Sequence, residues 1–417
     1  MRNDILKLAR QRLPAGLNEI ISQAVKLAGQ RKESLYLVGG IVRDTLLNVP
    51  NYDVDLVTEG DAIVLATDLA EKTGGKLTTH EKFRTAKVKT DSWSIDMTTA
   101  RSESYARPGA LPTVGKGSLK EDLFRRDFTI NAMALRLTPP HPGELIDFFG
   151  GEKDIRDTVI RILHDKSFAD DATRIWRAIR YEQRLGFAME EKTLKLLGKS
   201  LPYLRTVSGD RIRHELERVF QEEKPEKILR RATELKVLPA MNRALKADVW
   251  LQSKYIAARK TGKTGAAPEI YYALLAYRLK DEELASLLEY LKPAGTIKKV
   301  LRDSNRLKKT LEKLDDDGMA NSEIYKILNG FSASAAITNA LATSSPAVRK
   351  NLRVYLDELR YVKIKLTGSD LAALGIKQGP GMQTILNALL DARLDGKVKT
   401  RRDEERMALK IAKRFSG

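Results

Sequence analysis

Cysteine is absent from the 417 residues, and histidine occurs only four times. The first absence excludes disulfides, Cys-ligated zinc, iron–sulfur clusters and thiol nucleophiles, and is compatible with a reducing compartment. The second leaves little room for a His-rich metal site. Nowhere do about 18 apolar residues run together, as a membrane-spanning helix requires, and Met1-Arg-Asn-Asp-Ile-Leu-Lys lacks the apolar stretch of a signal peptide. A soluble, cytoplasmic chain with no membrane contact is expected. Acidic residues are also in deficit, 55 Asp+Glu against 74 Lys+Arg, a formal net charge of +19. Such an excess calls for a polyanionic partner, either nucleic acid or an acidic membrane surface, and is unusual for a plain metabolic enzyme.

The length fits about two to four domains, and 42% apolar residues are ample for real cores. From Leu17 to Gly29 apolar residues recur at helical spacing, and Leu35-Tyr-Leu-Val-Gly-Gly40 then reads as a buried strand running into a glycine turn. Strands are expected at Val54–Thr58, Thr85–Lys89 and Ser94–Thr98, with a helix at Asp61–Thr73. This mixture makes residues 1–150 an α+β head with a small mixed sheet. Beyond Asp154 strand signals disappear, and a long helical extension is expected, punctuated by turns at Lys199–Pro202, Thr261–Pro268 and Lys292–Gly295. Residues 341–417 hold 16 Lys+Arg against 8 Asp+Glu, a surface suited to phosphates.

Four constellations carry chemistry. In Gly39-Gly40-Ile-Val-Arg43-Asp44, after a strand, the glycines let backbone approach a ligand, the helix start favours phosphate, and Arg43 adds a forked donor. A diglycine alone equally fits an ordinary strand–turn–helix corner. Next comes Asp53-Val-Asp55, read as lying inside a strand, where a period of two points both carboxylates to one face. Like charges held this close call for a cation, and magnesium suits a site with few carboxylates plus water and substrate phosphates. Asp96 is a candidate third carboxylate by position alone.

The third constellation runs from Leu119 through Arg125-Arg126-Asp127 to Asn131-Ala-Met-Ala134, anchored by Phe128, Ile130, Ala132 and Met133. It suits a triphosphate and its ribose, or else a helix with a salt-bridged surface. The fourth is Asp170-Asp171-Ala-Thr-Arg174-Ile-Trp-Arg177-Ala-Ile-Arg180. Three residues turn a helix by about 300°, so Asp171 and Arg174 become neighbours and the arginines spiral along one flank. A solvated ladder of ion pairs is the bland alternative.

In this order and spacing the motifs resemble the class II tRNA nucleotidyltransferases, the family of CCA-adding enzymes and bacterial poly(A) polymerases. The resemblance spans about Leu35–Leu238 and includes a fifth segment, Gly209-Asp-Arg211-Ile-Arg-His-Glu215. It implies a nucleotidyltransferase head in residues 1–150, a helical neck in 151–240, a body in 241–340 and an RNA-binding tail in 341–417 that reaches the tRNA elbow. By the same resemblance Asp53 and Asp55 hold metal, and Gly40, Arg43 and Arg126 meet the incoming nucleotide. Asp171, Arg174, Arg177 and Arg180 serve base selection and phosphate contacts. Asp127 and Asn131 belong to the substrate set, and Ser102–Gly117 matches the family's flexible segment. Asp170 stands where many relatives have Glu. No His-Asp phosphohydrolase motif is present, so no second hydrolytic activity is expected.

The implied reaction is template-independent addition of C and/or A to a tRNA 3′ end from CTP and ATP, releasing pyrophosphate with two magnesium ions. Cytosine and adenine both offer an exocyclic amine beside an unprotonated ring nitrogen, so a carboxylate (Asp171) paired with a guanidinium (Arg174) reads either and mismatches guanine and uracil. A specialised A-adding or CC-adding enzyme and a poly(A) polymerase remain alternatives within the same chemistry. The intact loop Arg101–Val114 argues against the CC-adding form. A non-catalytic RNA-binding module is disfavoured because Asp53 and Asp55 are both present. A dinucleotide oxidoreductase is disfavoured because Gly39-Gly40 lacks the G-x-G-x-x-G spacing. In the tail, Thr367–Gln383 reads as helix, glycine turn and helix, whose second N-terminus near Lys377 is a weak phosphate candidate. No protein partner is implied.

Overall fold

The computed structural model describes residues 4–261 and 266–415. Two compact units divide the chain, one of Met1–Glu222 with Glu234–Met241, the other of Glu223–Thr233 with Asn242–Gly417.

The first unit opens with helices α1 (Asp4–Arg12) and α2 (Ala15–Gln30), and continues through β1 (Leu35–Val38), α3 (Gly40–Leu46), β2 (Val54–Thr58), α4 (Ala62–Thr73), β3 (Lys76–His80), β4 (Thr85–Lys89) and β5 (Ser94–Thr99). After these come β6 (Arg101–Ser104), β7 (Thr113–Lys116), α5 (Leu119–Phe124), β8 (Ala134–Arg136) and β9 (Leu145–Ile146). Seven strands make one mixed sheet in the order β3-β4-β5-β2-β1-β8-β9. β1 is Leu-Tyr-Leu-Val without alternation, and all four residues are buried, as expected of a central strand covered on both faces. α4 lays Leu65, Ala66 and Leu69 into the core, and its ends are set by Asp61, whose side chain accepts from the Ile63 and Val64 N–H groups, and by Gly74 at φ +65.

The strands expected at 35–38, 54–58, 85–89 and 94–98 are present, and further strands go beyond the expectation. Residues 101–104 and 113–116 of the segment matched to a flexible loop pair as an antiparallel two-stranded sheet. Strand signals also persist past Asp154. After α6 (Gly151–Arg156), β10 (Val159–Ile160) pairs in parallel with β11 (Ala188–Met189), clasping α7 (Ser167–Asp170) and α8 (Thr173–Leu185) between them in sequence. Two-residue strands are too short to show a period of two. The unit continues with α9 (Glu191–Ser200) and α10 (Gly209–Phe220).

The second unit is helical from Pro225–Glu234 to Arg401–Phe415. One core gathers Leu307, Leu314, Ile324, Leu328, Val348 and Leu352, and another gathers Leu366, Leu371, Ile385, Leu389 and Ala408. The second is tied by buried Glu404, which accepts from the Lys365 and Leu366 N–H groups and from Arg393. The expected helix–turn–helix in the tail is present as Gly368–Ala373 and Pro380–Leu394, with Gly375 at φ +82 between them. Of the turn expected at Thr261–Pro268, residues 262–265 lie outside the described residues. Among the described residues no helix is long and apolar enough to cross a membrane.

Candidate active site

The centre of the site is set by strand register. β2 and β5 run parallel with Asp55 beside Asp96, and β4 places Lys87 beside Asp96 in turn. The three side chains therefore share one face of the sheet, and Asp96, a candidate by position alone, stands next to Asp55. Its carboxylate is already partnered, 2.9 Å from Lys87 Nζ. Asp53 sits one residue before β2, exposed, instead of inside the strand, so a strand period does not aim it. Its N–H donates to Asn51 Oδ1 at 2.8 Å, which fixes the approach to the strand.

Burial pushes the Asp55 carboxyl up to about 6, against the pull of Arg126 and with added repulsion from Asp53 and Asp96. A half-buried carboxylate crowded by two others is the electrostatic setting a hard divalent cation relieves. Among the described residues no three acidic or histidine groups form a ready metal cage. Asp53 and Asp55 are the carboxylates available there to a cation, since Asp96 is already paired with Lys87.

The glycine turn faces this centre. Gly39 has φ +76, and a Cβ there would lie 2.8 Å from Arg126 Nη1 and 3.7 Å from Asp55 Oδ2. Gly39, more than Gly40, is the position that demands glycine, since a Cβ on Gly40 would meet only ordinary contacts. Arg126 keeps Nη2 on Asp122 Oδ2 at 3.1 Å, while its Nε is buried without a partner. Asp122, fully buried, also takes Arg125 on its other oxygen at 2.6 Å. Sequence reading missed this brace, although its i, i+3 and i, i+4 spacing was available.

Arg43 is only 2% exposed. Its Nε and Nη2 each donate to Asp44 at 2.8 Å, and Nη1 donates to Asn131 Oδ1 at 2.5 Å. Asn131 Nδ2 donates to Asp127 Oδ1 at 2.9 Å, and Asp127 Oδ2 takes Arg177 Nε at 2.7 Å. On the other side Asn51 Nδ2 donates to Asp44 Oδ2 at 2.7 Å. One continuous relay therefore runs from the backbone of Asp53 through Asn51, Asp44, Arg43, Asn131 and Asp127 to Arg177 on α8. Tyr181 is bracketed by Arg43, Arg177 and Arg180, each guanidinium within 5.7 Å of its ring centroid. Burial alone would raise the Asp127 carboxyl, but Arg177 and the Asn131 hydrogen bond outweigh it and hold it down at about 2.

The helical reading of the third and fourth constellations needs correction. Residues 119–134 are not one helix: α5 ends at Phe124, and after a turn Thr129–Asn131 forms a single 3₁₀ turn. Phe128, Ile130, Ala132 and Met133 are buried as expected. Asp171 is not on α8 with Arg174, because it is extended at φ −141, ψ 98 between α7 and α8. The arginines do not project along a solvated flank either. Arg174 and Arg180 are buried, and Arg180 Nη1 lies 3.1 Å from Glu222 Oε1. Arg174 donates to Ser167 Oγ at 2.7 Å and to the Arg125 carbonyl at 2.6 Å, and Asp171 pairs with Arg211 at 2.7 Å. A cavity of about 330 Å³, lined by Glu103, Tyr105, Phe124, Arg125, His164, Asp170 and Arg174, opens beside this group.

Two family models match this chain. One, the poly A polymerase head domain, covers residues 35–161, and the other, a probable RNA and SrmB-binding site of polymerase A, covers residues 186–248. The A-adding tRNA nucleotidyltransferase of Geobacter sulfurreducens is 33% identical over 434 residues, covering 99% of this chain and 49% of that protein. The A-adding tRNA nucleotidyltransferase of Halalkalibacterium halodurans is 32% identical over 406 residues, covering 95% of this chain and 92% of that protein. The chain belongs to the class II tRNA nucleotidyltransferases. It spans about half the length of the first of these relatives. The Thermotoga maritima CCA-adding enzyme complexed with tRNA shares the fold, with a TM-score of 0.76 and 30% identity over 97% of each chain. Further solved members are CCA-adding enzymes with ATP and with CTP, and curated members include a CC-adding enzyme. The family generally uses divalent metal ions, which the Asp53 and Asp55 pair fits by its chemistry.

Proposed function

We propose that this chain adds C and/or A to the 3′ end of tRNA, taking CTP or ATP and releasing pyrophosphate. One observation carries the reading: the crowded carboxylate Asp55, with Asp53 beside it, faces the bare backbone of Gly39, against which Arg126 Nη1 also converges. That combination offers a cation site and a phosphate site in contact. Bound to Asp53 and Asp55, magnesium would lower the pKa of the attacking 3′-hydroxyl and neutralise charge on the leaving pyrophosphate. Arg126 and the amides of the Gly39-Gly40 turn hold the triphosphate, while Arg43, sealed inside, positions Asn131, Asp127 and Arg177 from behind. Asp171 accepts from the exocyclic amine of cytosine or adenine beside a guanidinium donor, for which Arg174 is the family's residue. The same arrangement facing uracil or guanine leaves two polar groups unpaired, at about 1–3 kcal/mol each.

In functional terms residues 1–150 act as the catalytic head, 151–240 as the selecting neck, 241–340 as the body and 341–417 as a basic surface for RNA. A tRNA substrate places the work in the cytoplasm. The Geobacter sulfurreducens and Halalkalibacterium halodurans relatives, at 33% and 32% identity, are A-adding enzymes, which favours the A-adding form within this chemistry. Incubation with tRNA ending at the discriminator base, at C and at CC, with CTP and ATP singly and together, tests the reading. Addition to all three identifies CCA addition, one A on the CC form alone identifies A addition, and long A tracts identify a poly(A) polymerase. No incorporation on any end overturns the proposal.

A further inference from the structure

Three strands at one end of the sheet, β3, β4 and β5, present an open face. Helix α4 packs beneath them, on the side where Ala86, Val88, Ile95 and Met97 are buried. Alternate residues point the other way, and Lys76, Thr78, His80, Lys87, Lys89 and Ser94 are all exposed there. This is the face of the catalytic centre, since register sets Thr78, Lys87, Asp96 and Asp55 in one row across four strands. In the next row Lys76 lies directly opposite Lys89, and Lys89 opposite Ser94. Like charges facing each other across two strands destabilise a sheet, and among the described residues neither lysine has an ion-pair partner. An anion laid over that face would relieve them.

The geometry of the reaction says which anion. In an in-line displacement the attacking and leaving oxygens stand on opposite sides of the phosphorus. The leaving pyrophosphate belongs on the Gly39 and Arg126 side of Asp55, which is the β1 side of β2. The attacking 3′-hydroxyl must then arrive from the β5 side, over the open face. We propose that this face is the track along which the last nucleotides of the RNA reach the catalytic carboxylates, with Lys76 and Lys89 holding its phosphates. The inference rests on the proposed nucleotidyl transfer and extends it to the strand that receives the nucleotide. Because β4 lies two strands from β2, about 10 Å by the ordinary strand spacing, the two lysines stand behind the reacting atoms and are positioning residues. Lys87, 2.9 Å from Asp96, neutralises a carboxylate that would otherwise repel RNA between the track and Asp55.

The test uses the full chain with Lys76→Gln and Lys89→Gln combined, and with Lys76→Glu and Lys89→Glu combined. Lys72→Glu, exposed on α4 beneath the sheet, controls for overall charge, and Lys87 is kept because its loss would also free Asp96. Affinity for tRNA is measured without nucleotide over a salt series, alongside KM for tRNA, KM for CTP or ATP, and melting temperature. The glutamine pair is expected to weaken tRNA binding about tenfold and to reduce the slope of log K against log salt by about 1.4, as two contacts to a single strand require. The glutamate pair should weaken binding further, and the glutamine pair decides the matter if it does not fold. Nucleotide KM should stay within twofold and melting temperature should hardly change. Affinity within twofold of wild type in the glutamine pair, an equal loss in Lys72→Glu, or a nucleotide KM that rises in step with that for tRNA overturns the inference while the proposed function stands. A wild-type protein that adds no nucleotide overturns both.

Discussion

Asp127 accepts from Arg177 Nε at 2.7 Å and from Asn131 at 2.9 Å, joining the segment after α5 to helix α8 through one carboxylate. Asp127→Asn would leave Arg177 without its counter-charge and is expected to destabilise the chain by about 2–3 kcal/mol, less than a fully buried pair because Arg177 is partly exposed. Urea unfolding of the variant against the wild type measures it.

The same pair has a pH signature. The folded carboxyl is held near about 2, below its unfolded value of about 3.9. A depressed acid stabilises the folded state above the unfolded pKa, and this contribution is lost as pH falls from about 4 toward 2. The stability gap between wild type and Asp127→Asn should therefore be constant from pH 5 to 7 and close below pH 4. A gap that widens on acidification contradicts the assignment.

Asp53→Ala and Asp55→Ala are expected to abolish incorporation, by at least a thousandfold, while tRNA affinity stays within twofold. Magnesium should raise the melting temperature of the wild type by a few degrees, since an ion that binds only the folded state stabilises it by mass action. Neither variant should show the rise. Turnover surviving in either variant refutes the metal assignment.

Gly39→Ala places a Cβ at φ +76 and 2.8 Å from Arg126 Nη1. With ψ at −135 that conformation is one that side-chain-bearing residues scarcely adopt, at a cost of about 1–3 kcal/mol, and Arg126 must move away from the phosphate site. The expected result is a loss of about tenfold or more in kcat/KM for the nucleotide, with a smaller loss of stability, whereas Gly40→Ala should be milder. Steady-state kinetics on both variants distinguish them.

With Lys+Arg exceeding Asp+Glu by 19, tRNA binding should weaken steeply between about 50 and 200 mM salt, by factors of ten to a thousand, while the ratio of C or A to U and G hardly changes. Filter binding and incorporation across a salt series check both halves.

The strands that carry the site were legible because their chemistry repeats every two residues: β2 and β5 show it in Val54, Asp55 and Leu56 and in Ile95, Asp96 and Met97. Register was not legible, because pairing of Asp55 with Asp96 depends on which strands become neighbours. The helical spacing of Asp171 and Arg174 misled, since it assumed a helix that begins only at Thr173. Arg43 read as a forked donor to a bound phosphate, yet its guanidinium is engaged by Asp44 and Asn131 inside the protein. The Asn51 bond to Asp44 and the pairing of Arg211 with Asp171 carry no signal until the chain folds and brings these residues within hydrogen-bond distance, whereas the Asp122 brace to Arg125 and Arg126 is local in sequence.

The central claim is that a crowded carboxylate pair transfers a nucleotide that a separate carboxylate, Asp171, selects. Incorporation of each of the four nucleotides onto one tRNA end by wild type, Asp55→Ala and Asp171→Ala tests it most directly. The account predicts that wild type adds only C or A, that Asp55→Ala adds none, and that Asp171→Ala still adds nucleotides with discrimination reduced by about tenfold or more. Unchanged discrimination in Asp171→Ala, or turnover in Asp55→Ala, would contradict it.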